Sequence, residues 1–341
     1  MRVLLTGHRG FIGAVMAPLL QAAGHEVVGL DTGYYEGCDF GDPPADIPDT
    51  RRDLRDTTAG DVRGFDAIIH LAALSNDPLS DLDPELTYEI NHRATVRLAE
   101  LARTAGVSRF IFSSSCSNYG SAGEGLIDEQ AAFNPVTPYG VSKVRAERDL
   151  LALATEDFSP VLLRSATAYG LSPRLRCDIV LNNLTAWAVA TGKILLKSDG
   201  TPWRPVVHVE DICGAFLAAL EAPRDAVHAQ AFNVGRTDEN YRVRDLAEVV
   251  REVVPGCVIE YAAGAAADAR TYRVDCSKIA AALPAFRPRW TVRDGVRSLS
   301  QAFHDARLTV DDFEGSRFRR IGRISQLLQD DRLSRDLRWH E

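Results

Sequence analysis

The stretch RVLLTGHRGFIG, residues 2–13, joins a short apolar run to three glycines, Gly7, Gly10 and Gly13, spaced three apart. The run reads as a buried strand and the pattern continuing through Leu20 as a helix, so the glycines form the turn between them. Glycine there lets the backbone turn sharply and approach a diphosphate, whose charge then meets the free N–H groups of the helix N-terminus. The spacing is G-x-x-G-x-x-G and not the commoner G-x-G-x-x-G, so its weight comes from context. That context is a second apolar run, EVVGLD at 26–31, which ends in Asp31. A carboxylate at that distance accepts hydrogen bonds from ribose hydroxyls and repels a 2′-phosphate, which favours NAD over NADP as cofactor.

Working outward, DAIIHLAAL (66–74) is expected to be a strand, 84–105 a helix, RFIFSS (109–114) a strand, 138–156 a helix and PVLLRSA (160–166) a strand. Strands that are apolar on both faces and alternate with helices imply a parallel sheet covered on both sides. The expected class is therefore α/β, a Rossmann-like doubly wound parallel sheet with a smaller C-terminal α/β substrate lobe. Residues 1–166, with a return segment at 206–235, would form the NAD-binding domain. Residues 167–205 and 236–316, where the pattern is less regular, would form the lobe. Residues 317–341 read as an amphipathic helical tail, with Ile321, Ile324, Leu328, Leu333 and Leu337 near helical spacing.

The composition narrows the partners. With 341 residues, a net charge of −8 and no basic stripe, the chain does not resemble a nucleic-acid binder. Its six cysteines lack any C-x-x-C spacing, which points to reduced thiols and no metal site. No signal peptide or membrane-spanning run is evident, so a cytoplasmic location with no membrane partner is expected. Lysine occurs only at Lys143, Lys193, Lys197 and Lys278, which makes each lysine's position informative.

One of those four stands in a pattern with chemical meaning. Tyr139 and Lys143 lie four apart on one helix face, shortly after the hydroxyl-rich strand end SSSCSNYG at 113–120. A phenol with an ordinary pKa near 10 is a poor base at neutral pH. A neighbouring ammonium, and the positive nicotinamide, would stabilise the phenolate and let it take a proton from a substrate hydroxyl as hydride leaves the same carbon. A serine hydroxyl could hold the substrate oxygen.

Together, Gly7/Gly10/Gly13, Asp31, Asp53-Leu54, HLAAL, Asn91, the 113–120 stretch and Tyr139/Lys143 resemble the extended short-chain dehydrogenase/reductase family, of the nucleotide-sugar epimerase and dehydratase type. UDP-glucose/galactose 4-epimerase-like proteins are the most similar pattern, and the likeness runs to about residue 280. The resemblance implies NAD as cofactor, a nucleotide-diphosphate sugar as substrate and a homodimer formed through the helices at 84–105 and 138–156. It makes Ser115, Tyr139 and Lys143 catalytic. It assigns Phe11, Ile12, Asp53, Leu54, Leu71, Ala72, Ala73, Ser113, Ala166, Tyr139 and Lys143 to the cofactor along with the three glycines and Asp31, and has Asn91 brace that region. On the substrate side it implies Ser75, Ser115, Cys116, Ser117, Thr167, Asn183 in VLNNL, Arg204 as a diphosphate clamp and Arg270 as a second clamp.

Several reactions fit this pattern. A 4-epimerase needs only the cofactor, Tyr, Lys and a hydroxyl, and works through a transient keto-sugar. A 4,6-dehydratase carries an Asp-Glu pair after the catalytic hydroxyl, where this chain has Cys116-Ser117, so dehydration is disfavoured. An NAD(P)H-dependent keto-sugar reductase is the alternative. A non-catalytic, cofactor-sensing member would be expected to lack the tyrosine or the lysine. Cys116 could be an acid/base group, but its position one residue before the family's thiol site argues for packing.

Overall fold

The computed structural model describes residues 1–75, 80–81, 83–262 and 270–340. Its centre is a sheet of seven strands: β1 (Arg2–Thr6), β2 (Glu26–Asp31), β3 (Asp49–Arg51), β4 (Ala67–His70), β5 (Arg109–Ser115), β6 (Ser159–Ser165) and β7 (Gln230–Val234). Their order is β7-β6-β5-β4-β1-β2-β3, with every pairing parallel. The chain order reverses between β1 and β4. That is where loops leaving the strand ends diverge and open a crevice for ligand.

Strand alternation accounts for the two covered faces. Val3, Leu5, Ile69, Ile111 and Leu163 point to one side, against Met16 and Leu20 of helix Gly13–Ala22 and Phe216 of helix Val209–Glu221. Leu4, Ile68, Phe110, Phe112 and Leu162 point to the other, against Leu98 of helix Ala94–Thr104 and Leu150 of helix Pro138–Ala152. Each face buries a set that would be exposed on a one-sided sheet, and hence the runs read as continuous apolar segments.

Four elements differ from the expected spans, the simplest being the helix expected over 138–156, which ends at Ala152. The strand at 66–74 leaves the sheet after His70, and residues 71–74 continue along the cavity described below. The helix at 84–105 is interrupted: Pro84–Tyr88 and Ala94–Thr104 are joined by a π-helical turn over Glu89–Arg93. Single π turns inside helices recur at functional sites, and this one contains Asn91. The tail is helical only over Arg320–Gln329, where the expected pattern ran to its end. The helix stops at Asp330-Asp331, and Asp331 and Leu337 have φ of +52° and +58°. Leu333 and Leu337 therefore reach the core from a folded turn and not from a continuing helix.

The remaining elements form a lobe over the strand ends. Its small sheets pair Trp203–His208 with Asn240–Arg242 on one side and Thr167–Tyr169 on the other, Val258–Tyr261 with Lys193–Leu196, and Thr271–Val274 with Ser121–Ile127. Helices Val180–Thr191, Val243–Val253 and Val292–Asp305 close it around a separate apolar core. No helix among the described residues is long and apolar enough to cross a membrane.

Candidate active site

Two adjoining cavities occupy the crevice. The smaller, about 150 Å³, runs past the turn after β1, the end of β2 and the segment after β4. The larger, about 800 Å³, lies between the ends of β5 and β6 and the second lobe. They share Ile12, Leu71, Ala73, Ser75, Ala168 and Arg176.

The glycine turn is required by close packing. A Cβ on Gly7, whose φ is +73°, would lie 2.8 Å from the Ala72 backbone nitrogen, and one on Gly13 would lie 2.2 Å from the Gly7 carbonyl oxygen. Neither neighbour can give way, because both are backbone. Gly7, Gly10, Phe11, Ile12, Gly13, Leu71, Ala72 and Ala73 all line the smaller cavity. So does Asp31, whose Oδ1 accepts the Gly33 N–H at 2.8 Å and whose Oδ2 accepts the Arg9 N–H at 3.1 Å. Both carboxylate oxygens are thus held at the rim by backbone N–H groups. Asp53 and Leu54 line the same wall, with Asp53 held by Arg55 through its amide at 2.8 Å and its guanidinium at 2.7 and 3.0 Å.

Asn91 lies outside both cavities and is fully buried. Its Oδ1 accepts the Leu74 N–H at 2.8 Å while its Nδ2 donates to the Leu74 carbonyl at 3.0 Å and the Ser142 hydroxyl at 3.3 Å. The π turn thereby ties the cavity floor to the helix that carries Tyr139 and Lys143.

Ser115, Tyr139 and Lys143 line the larger cavity together. Lys143 is 2% exposed and donates to the Ser113 carbonyl at 2.7 Å, with its ammonium 5.6 Å from the centre of the Tyr139 ring. Burial pulls the Lys143 pKa down to about 7, and Glu147, one helical turn on, partly opposes that fall. The Ser115 hydroxyl accepts the Ser117 N–H at 3.1 Å. A phenol, an ammonium and a hydroxyl converging on one space can move a proton at a substrate oxygen.

The strand ends at Ser115 and Cys116–Tyr119 form a short 3-10 turn, so the extended backbone expected through Cys116 is not what sets its direction. Ser113, Ser114, Ser115 and Ser117 line the cavity. Cys116 and Asn118 point into the protein, and Cys116 lies outside both cavities with no exposed surface. Its thiol donates to the Arg164 carbonyl at 3.1 Å, and burial pushes its pKa far up, away from a reactive thiolate. Behind it, Arg164 and Glu147 form a buried ion pair at 2.6 Å, and Glu147 also accepts from Ser114 at 2.5 Å and Asn118 at 2.9 Å. This network positions the Lys143 helix from the rear.

Ser75 and Ala166 from the ends of the central sheet, and Thr167, Asn183, Arg204 and Arg270 from the lobe, all line the larger cavity. Arg204 donates to the carbonyls of Trp203 at 2.8 Å and Arg270, which sets the two arginines side by side. Asn183 donates to the Cys177 carbonyl at 2.9 Å and to Glu314 at 3.2 Å.

Two further arginines belong to the site although no motif marks them. Arg176 borders both cavities, donates to the Ser75 hydroxyl at 3.1 Å and pairs with Asp178 at 2.8 Å. Arg320 reaches the smaller cavity from the C-terminal tail. The run RLRCD at 174–178 is the one available signal for the first, since clustered charge is unusual beside apolar helix starts. Nothing local marks the second.

Known proteins match this geometry. The model of the NAD dependent epimerase/dehydratase family matches residues 3–235. A UDP-glucose 4-epimerase of Mycolicibacterium smegmatis is 32% identical over 252 residues, 69% of this chain and 77% of that protein. Among solved structures, the UDP-glucose 4-epimerase of Thermus thermophilus in complex with NAD is 28% identical with a TM-score of 0.74, over 92% of this chain and 99% of that one. The dTDP-glucose 4,6-dehydratase DesIV from Streptomyces venezuelae, with NAD bound, is 26% identical with a TM-score of 0.77, over 90% of this chain and 98% of that one. The chain belongs to the NAD dependent epimerase/dehydratase family, and is an enzyme of that family.

Proposed function

We propose that this member of the NAD-dependent epimerase/dehydratase family is a nucleotide-sugar epimerase that works through a transient keto-sugar. Similarity to both an epimerase and a dehydratase leaves the choice to the residues of the cavity. The observation that carries the reading is the acid content of that cavity. Among its described lining residues the single carboxylate is Asp178, and it is already engaged by Arg176 and by the backbone N–H of Arg320 at 3.1 Å. Removing water from C6 calls for an acid and a base beyond the tyrosine, and Cys116 and Ser117 cannot supply a carboxyl pair.

NAD bound along the glycine turn, Asp31 and Asp53 would supply the hydride acceptor, and later the donor. Tyr139 would take the proton of the sugar hydroxyl, with Ser115 holding that oxygen and Lys143 stabilising the phenolate electrostatically. Because the same proton is returned after the keto-sugar has turned, no further acid is needed. Arg204, Arg270 and Asn183 would hold the nucleotide diphosphate, with the planar guanidinium groups matched to phosphate oxygens. The relatives make UDP-glucose the first substrate to try.

The test uses UDP-glucose deuterated at C4, with no cofactor added to the purified protein. Formation of the C4 epimer with deuterium retained is expected, and Tyr139→Phe should slow it about 10³-fold with NAD binding unchanged. Stoichiometric consumption of added NADH by a keto-sugar, without epimer formation, would instead establish the reductase.

A further inference from the structure

We propose that the C-terminal arm, residues 317–340, completes the NAD site: Arg320 supplies a cation to the cofactor's diphosphate, and the rest of the arm holds the adenosine wall in place. The inference rests on the smaller cavity being the NAD site.

Arg320 is an unusual residue to find buried. It is 2% exposed, it lines the same cavity as Gly10, Phe11 and Ile12, and its guanidinium makes no ion pair among the described residues. One terminal nitrogen donates to the Arg174 carbonyl at 2.9 Å, and the group lies 4.0 Å from the centre of the Tyr35 ring. The other terminal nitrogen, Nη1, is buried without a hydrogen-bond partner. Arg176, which also lines the cavity, likewise keeps Nη2 buried and without one. The carboxylate acting on both guanidinium groups is Asp178, which is paired with Arg176 and accepts from Arg320 only the backbone N–H; two buried cations against one carboxylate leave a positive charge that an arriving anion would offset. Burial lowers the Arg320 pKa, as expected for a charge awaiting a partner. A dinucleotide brings two phosphate charges to the neighbouring glycine turn, and two guanidinium N–H groups suit them.

Many of the arm's other contacts fall on the segment from Thr32 to Asp56, on the adenosine side of the same cavity. Tyr34 donates its hydroxyl to the Leu337 carbonyl at 2.5 Å, and the Trp339 indole donates to the Thr32 carbonyl at 2.7 Å. Arg323 donates to the carbonyls of Tyr34 at 3.2 Å and Glu36 at 3.1 Å. Arg338 pairs with Asp56. Ile324, Leu327, Leu333 and Leu337 form one apolar cluster with Tyr34, Leu74 and Ile90, and the last three of these line the cavity. Chain more than 280 residues away from the nucleotide-binding turn is thus built into its wall. The family match ends at residue 235, so the arm lies outside the matched part of the chain.

The experiment measures binding of NAD, ADP-ribose and adenosine to the full-length apoprotein, by calorimetry and by the rate of NAD release. Arg320→Gln is expected to weaken NAD and ADP-ribose about tenfold or more while leaving adenosine unchanged, because only the first two carry the diphosphate. Trp339→Ala, which loosens the arm without touching the cavity, is expected to weaken all three and to speed NAD release. Arg320→Gln binding NAD as tightly as wild type would overturn the proposal. An equal loss of adenosine and NAD in Arg320→Gln would also overturn it, since that marks a folding role alone. A wild-type protein binding neither NAD nor ADP-ribose would sink the assignment of the cavity itself.

Discussion

The two cavities are walled in different ways. The larger one takes its chemistry from a single strand end and one helix turn: Ser113, Ser115 and Ser117 from residues 113–120, Tyr139 and Lys143 four apart. The smaller one draws its walls from the glycine turn, from the segment after β2 and, through Arg320, from an arm near the other end of the chain. A proton-transfer site needs side chains at sub-ångström mutual precision, which rigid neighbouring elements provide. A site that must admit and hold a long dinucleotide needs enclosure, which a distant segment folded across it can supply.

This contrast can be tested from the catalytic side, where support comes from behind the wall. The largest effect is expected for Glu147→Ala, which strands the Arg164 guanidinium in the interior. Removing one member of a buried pair costs about 3–5 kcal/mol, so chemical denaturation should show a loss of that order. A loss below about 1 kcal/mol would mean that the network behind Ser114 and Asn118 is not what holds the Lys143 helix.

A smaller effect is expected from the lysine itself. Its folded pKa of about 7 lies below its ordinary value of 10.5. Between those values the unfolded chain binds a proton that the folded chain does not, so this group makes stability rise with pH across that window. Below pH 7 both states are protonated and the burial penalty is felt in full. Lys143→Met should therefore abolish turnover yet melt a few degrees above wild type at pH 6, with the gap narrowing toward pH 10. A gap independent of pH would show that burial does not depress the lysine.

The smallest effect is expected at Cys116. Cys116→Ala should leave kcat within about threefold of wild type and cost about 1 kcal/mol of stability, as for a small buried group. A fall in kcat of a hundredfold or more with NAD still bound would return the thiol to the reaction.

Much of the molecule is legible in the order of its amino acids. Parallel strands buried on both faces announce themselves as uninterrupted apolar runs, and β1, β2, β5 and β6 fall within a residue or two of their expected limits. The glycine turn and the Tyr139–Lys143 pair are local, and local spacing maps directly onto one turn or one helix face. Two features mislead for identifiable reasons. Helical periodicity in the tail comes from apolar residues that share a cluster, although Leu333 and Leu337 join it from beyond the helix end. The helix at 84–105 gives no sign of its π turn, because one extra residue in a turn barely disturbs the pattern.

The sequence by itself determined the sheet, the glycine turn and the Tyr139–Lys143 pair on one helix face, since each depends on neighbours within one or two elements. Only the tertiary structure decided which way Cys116 faces, which carboxylates reach the cavity and that Arg320 lines the same cavity as the glycine turn. Those outcomes depend on which distant segments pack together, and two buried guanidinium groups set against one carboxylate become visible only once their surroundings are complete.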